Sequence, residues 1–239
     1  MFSPPTLAPV VRERLYEQVA QQIQELIIAH GWPAGNRIPT ERELGEQFGV
    51  SRTVVREALK ALSERGLVII RPGRGTFVAD KGAGALREPM RLFFQRHNVS
   101  YENLVEARRV LEVEIAGLAA ERAESIHMSE MGDAIEKMDA ALASSNREMY
   151  VEADQTFHLV LAQATQNKMF VMLTESISGL LRESRWLIFD VGGAPARGQQ
   201  HHGALLEAIQ RGDVPGARKA MRDHLDQVGA DIHMVEVDH

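Results

Sequence analysis

Between Thr40 and Val78 the chain has little freedom of fold, because two capped helical segments meet at a glycine and a short β-rich ribbon follows them. Thr40 with Glu43 three residues on makes a capping box, in which each side chain satisfies an orphan backbone N–H. Gly49 stops that helix and Ser51 caps the next, which runs from Arg52 to about Arg65 with Val55, Leu59 and Leu62 on one face before Gly66 ends it. Upstream, Leu15, Val19, Ile23 and Leu26/Ile27 recur at three- and four-residue spacing and predict a helix over 14–29, closed by Gly31-Trp32-Pro33-Ala34-Gly35. Downstream, 67–70 and 76–78 predict a hairpin around the turn Pro72-Gly73-Arg74-Gly75. Three helices backed by such a hairpin spell a winged helix-turn-helix.

Its chemistry agrees with that shape. Arg52, Thr53 and Arg56 cluster at the start of the third helix, where a recognition helix meets base edges in the major groove. Arg can bridge guanine O6 and N7, and Thr can meet phosphate or a thymine methyl. Arg42 is placed to reach the backbone, and Arg74 at the wing tip to enter the minor groove. The bland alternative for each arginine is a solvated surface; the ordered combination is what favours DNA.

A net charge of −6 argues against nucleic acid until the chain is divided. Residues 1–80 carry 10 basic and 9 acidic side chains, and residues 81–239 carry 17 and 24. Within 37–75 there are eight basic residues against five acidic, so a phosphate-facing surface belongs in the first third. With no cysteine, disulfides and thiolate metal sites are excluded. No apolar run approaches the ~18 residues that cross a bilayer, and the opening MFSPPTLAPVVRER does not read as a signal peptide. The expectation is a cytoplasmic protein with no membrane partner.

Composition changes near residue 80. The domains are read as 1–80, a linker at 81–86, and an all-helical 87–239 with helices over 85–97, 101–124, 128–144, 148–165, 168–188, 196–211 and 214–235. Polar residues fall on several of its apolar stripes. Asp154 and His158 share a face with Phe157 and Leu161, His202 sits with Leu205, Leu206 and Ile209, and His224 aligns with Ala217, Met221 and Val228. Burying an unpaired carboxylate is costly, so these groups are expected to meet one another or a shared ion. One Asp and three neutral His suit a divalent transition metal of the Zn, Ni or Mn class. The alternative is a set of ordinary hydrogen-bonded core histidines. Arg108 also lies on an apolar stripe, with Leu104, Leu111 and Ile115, and an ion pair with Glu112 one turn on competes with any ligand role.

The segment RIPTERELGEQFGVSRTVVREALKALSERGLVIIRPGRGTFV resembles the winged helix-turn-helix of the GntR family of bacterial regulators. EARRVLEVEIAGLAAERA, DQTFHLVLAQATQN, HHGALLEAIQRGD and ARKAMRDHL resemble the FCD ligand-binding domain of that family's FadR-type branch. The resemblance implies DNA contacts at Arg42, at Ser51, Arg52, Thr53 and Arg56, and at Gly73 of the wing. Val54 stands where some relatives have a polar contact. It further implies metal ligands at Asp154, His158, His202 and His224, with His201 off the pattern, an effector-gripping Arg108, and Asn167 capping the following helix. The function implied is a homodimeric, non-enzymatic repressor. Its affinity for a palindromic operator would be set by a small organic or sugar acid bound beside the metal. Two rivals stand beside it: a metal-dependent hydrolase, and a regulator whose metal is structural or is itself the signal.

Overall fold

The computed structural model describes residues 15–29, 31–79 and 87–237; the expected linker at 81–86 and the first fourteen residues lie outside them. The chain divides into two compact units, Met1–Gly82 and Ala83–His239.

The first unit holds α1 (Leu15–Ile28), α2 (Glu41–Phe48), α3 (Arg52–Glu64), β1 (Val68–Arg71) and β2 (Gly75–Val78). Both halves of the Thr40–Glu43 capping box form: the Glu43 amide donates to Thr40 Oγ1 at 3.3 Å and the Thr40 amide to Glu43 Oε2 at 2.7 Å. Gly49 ends α2 at φ 65°, a left-handed conformation that costs a residue with a Cβ about 1–2 kcal/mol. That turn brings α3 across α2. The strands pair antiparallel with Val68 opposite Val78 and Arg71 opposite Gly75. Val19, Ile23, Ile38, Val55, Leu59, Leu62 and Val78 close the core. Leu62 is fully buried, so Leu62→Ala should cost this unit about 2–5 kcal/mol. Urea unfolding followed by Trp32 fluorescence in a Trp186→Phe background reads that loss, since Trp32 packs against this core.

The second unit is all helix among the described residues: α4 (Arg87–Arg96), α5 (Tyr101–Arg122), α6 (Ser125–Ala143), α7 (Arg147–Ala164), α8 (Lys168–Phe189), α9 (Ala194–Gln210) and α10 (Val214–Val237). α6 starts three residues before the expected 128 because its cap is unconventional: the Glu124 amide donates to His127 Nδ1 at 3.1 Å. Asn167 caps α8 as expected, its side chain accepting from the Met169 amide at 3.0 Å. α9 begins earlier than 196, after Gly193 at φ 76° and with Pro195 in its first turn, where a missing N–H does no harm. α5 packs on α10 and α7, α7 on α6 and α8, and α9 on α10 and α6. Phe157, Met131, Met138, Leu161, Leu205, Met221 and Leu225 are buried at the centre. The polar constellation sits beside them.

Candidate functional site

In the first unit, Ser51 Oγ accepts from the Val54 amide at 3.4 Å and so starts α3 at Arg52. Arg42, Ser51, Arg52, Thr53, Arg56, Gly73 and Arg74 are all exposed, while Val55, Ala58 and Leu59 on the opposite side of α3 are buried. Two of the arginines have intramolecular partners. Arg42 meets Glu46 at 2.9 Å, an exposed pair worth little in water. Arg56 is held by both oxygens of Glu41, Nε to Oε1 at 3.0 Å and Nη2 to Oε2 at 2.8 Å. This fork sets the guanidinium's direction, and it lowers the Glu41 carboxyl below its ordinary range through the hydrogen bond from Arg56. Gly73 turns the wing at φ 71°. Arg37, which sequence reasoning left aside, lies against Gly75: its Nε is 2.8 Å from where a Cβ would stand there.

In the second unit, α7, α9 and α10 bring His158, His202 and His224 together, with one nitrogen of each within 4.8 Å of the others. All three are buried. The far nitrogens of two rings have polar neighbours: His202 Nδ1 lies 3.1 Å from Gln199 Oε1, and His158 Nδ1 lies 3.0 Å from Glu112 Oε2, a contact between facing groups without hydrogen-bond alignment. His158 Nε2, His202 Nε2 and His224 Nδ1 are buried without a hydrogen-bond partner. Asp154 Oδ1 faces this group, 3.5 Å from His202 Nε2 and 3.9 Å from His158 Nε2. His201 is half-buried and outside the group, its ring centre 6.1 Å from that of His224.

The electrostatics keep His202, His224 and Asp154 in the forms a cation needs. Burial drives His202 down to about 3, against the opposing pull of Asp154, so the ring is neutral at neutral pH. His224 is pushed down in the same way, by burial first and then by the neighbouring imidazoles. Burial alone would raise the Asp154 carboxyl, but the Arg185 guanidinium and the three imidazoles hold it well below the usual carboxylate range. Glu112 follows suit: burial raises it, and Arg108 with His158 more than reverses that. Three buried imidazoles with orphaned nitrogens, a facing carboxylate oxygen, and polar neighbours behind two of the rings fit a divalent transition metal.

Arg108 is found on the competing partner: its Nε meets Glu112 Oε1 at 2.5 Å and its Nη2 meets Oε2 at 3.3 Å, both side chains buried. It nevertheless lines a cavity beside the histidines, together with Tyr150, Asp154, Arg185, His224 and Asp231. Its space of about 40 Å³ is enough for a few waters or a very small ligand. Arg185 was not legible in the sequence. It pairs through Nε with Asp154 Oδ2 and sits on a stripe of α8 with Thr174, Ser178 and Leu181, too polar to register as a buried face. Ser178 belongs inside because its hydroxyl donates to the Thr174 carbonyl at 2.8 Å.

A winged helix-turn-helix followed by an all-helical unit defines a two-domain DNA-binding transcriptional regulator. Residues 15–78 match the model of the bacterial regulatory proteins of the gntR family, and residues 103–227 match the FCD domain. The chain is 34% identical over 222 residues to the Uxu operon transcriptional regulator of Escherichia coli (strain K12), covering 90% of this chain and 86% of that protein. It is 33% identical over 200 residues to the HTH-type transcriptional regulator LutR of Bacillus subtilis (strain 168), covering 81% and 90%. Among solved structures it resembles Streptococcus agalactiae GntR, with a TM-score of 0.73 and 25% identity over 90% of this chain and 99% of that one. The chain belongs to the GntR family of bacterial transcriptional regulators, in the group that carries an FCD domain. It is a DNA-binding regulator and not an enzyme, which removes the hydrolase alternative. Among the described residues no helix is long and apolar enough to cross a membrane.

Proposed function

We propose that the protein is a homodimeric, cytoplasmic repressor whose grip on a palindromic operator is set by a small organic or sugar acid bound beside a divalent metal in the FCD domain. One observation carries the metal part: three buried imidazoles from three helices bring one nitrogen each within 4.8 Å of one another, and Asp154 Oδ1 lies 3.5 Å from His202 Nε2 and 3.9 Å from His158 Nε2. Asp154, His158, His202 and His224 would hold the ion, of the Zn, Ni or Mn class, which when bound supplies a Lewis-acidic coordination position. Arg42, Arg52, Thr53 and Arg56, with Gly73 and Arg74 of the wing, would hold DNA while Ser51 fixes the start of the recognition helix. A single winged helix reads only a few base pairs, and two-fold pairing on a palindrome supplies the rest. A ligand that favours one arrangement of the protein over another then changes operator affinity by its differential binding.

The test starts from duplexes selected by the purified protein out of a random pool. Metal-loaded protein should retard a selected palindrome far better than scrambled duplex at moderate salt, and carboxylates should release it when metal is present and fail to do so after chelation. Equal binding to selected and scrambled duplex overturns the regulator mechanism. Release that follows chelation alone would make the metal itself the signal.

A further inference from the structure

The cavity beside the histidines is bordered by two buried arginines, and they differ in how fully they are used. Arg108 gives two nitrogens to the two oxygens of Glu112. Its fork is satisfied within its own helix. Arg185, with only 9% of its side chain exposed, gives Nε to Asp154 Oδ2, and its Nη1 is buried without an acceptor. A buried guanidinium N–H left unpaired is costly, and the cost is relieved by any acceptor that can reach it.

Charge points the same way. Each buried carboxylate at or next to this cavity already faces a guanidinium: Asp154 faces Arg185 and Asp231 faces Arg197 at 2.7 Å on its wall, and Glu112 faces Arg108 behind it. The histidines add no negative charge. A divalent cation beside them would therefore leave an excess of positive charge in a low-dielectric pocket, and an anion would be drawn in to offset it. A role confined to neutralising Asp154 would be met by a lysine's point charge; a planar guanidinium with a spare donor nitrogen is suited to recognising a second carboxylate.

We propose that Arg185, and not Arg108, is the anchor for the acid effector: held on Asp154 by Nε, it offers its unpartnered Nη1 to one carboxylate of a small acid. Arg108 is a positioning residue, fixing Glu112 against His158 Nδ1 and so aiming the His158 ring. This assignment rests on the metal-and-carboxylate reading above. It makes the pair Asp154–Arg185 the link between ion and effector, since the carboxylate's two oxygens face the imidazoles and the guanidinium separately.

Calorimetry on full-length protein loaded with Zn²⁺, titrated with acetate, glycolate, L-lactate and citrate, separates the possibilities when combined with Zn²⁺ affinity from competition against a chelating dye. Wild type should bind at least one of these acids. R185K should bind it about 10- to 100-fold more weakly, the span for a hydrogen bond to a charged group, while its Zn²⁺ affinity stays within several-fold of wild type. R108K should show the opposite split, with Zn²⁺ affinity falling first. R185Q provides a second variant in case R185K is not recovered folded, and should lose the acid in the same way. Acid binding retained by either folded Arg185 variant overturns the anchor assignment and leaves the wider reading intact. Equal losses of Zn²⁺ and acid overturn it also, because Arg185 would then act only through the ion site. A wild type silent to all four acids overturns the carboxylate reading and this inference with it.

Discussion

Replacing Arg52 and Arg56 together by alanine should abolish discrimination between operator and random duplex while leaving the fold untouched. Both side chains are exposed on α3, and the residues that seat this helix, Val55, Ala58, Leu59 and Leu62, are not altered. A bidentate contact to a base is worth about 1–3 kcal/mol of discrimination. Each arginine would occur twice in a two-fold complex, so the double variant is expected to lose several kcal/mol of specific binding. Fluorescence anisotropy with labelled duplex measures it. Wild-type specificity in this variant would remove α3 from the interface. Glu41→Gln refines the result. Removing that acid takes away the fork that aims Arg56 but also adds net positive charge, so binding to random duplex should rise as the preference for operator falls.

The second large effect is expected at the histidines, and its sign distinguishes a metal site from a polar core. His224 Nδ1 is buried without a partner, so His224→Leu should leave the metal-free protein as stable as wild type or more stable. Wild type given an ion at about a thousand times its Kd should gain about 4 kcal/mol, read as a rise in Tm of about 8–16 °C for a unit of this size. That rise should vanish in His224→Leu, and its ion affinity should fall by more than the 10- to 100-fold that changes to outer-shell partners cost. Differential scanning calorimetry with and without Zn²⁺ or Ni²⁺ checks both halves. A wild-type Tm indifferent to every ion tested would return the three rings to the status of core residues.

What could be read from the chain in advance follows the range of the forces involved. The DNA-binding unit is written in local signals: Thr40 and Glu43, Gly49, Ser51 and Gly66 each act within one helical turn, and each is found at its expected boundary. The histidines were legible because each interrupts an otherwise apolar stripe. The missed features depend on contacts distant in sequence or on unusual partners. The start of α6 relies on an imidazole accepting from Glu124, outside the usual capping residues. Glu41 reaches Arg56 across fifteen positions, from one helix to the next. Arg185 hides on a stripe whose serine bonds back to its own helix, so periodicity in hydrophobicity carries no trace of it. The Arg108–Glu112 pair, one turn apart, was visible as an alternative, and the structure forms it.

The wing is also a sheet with an open margin. β2 has neighbours on both sides, β1 and the bridge from Phe77 to Arg37, whereas β1 pairs with β2 alone among the described residues. Ile69 and Ile70 on that strand are 44% and 42% exposed. An open apolar margin of this kind is a template for strand addition by another chain. Short length and the charge of Arg71 at its end are the safeguards present, with the Arg71 guanidinium 5.1 Å above the Phe77 ring. The ribbon that braces the recognition helix is thus also an edge open to unwanted strand pairing, and a neutral residue at 71 would remove part of that protection.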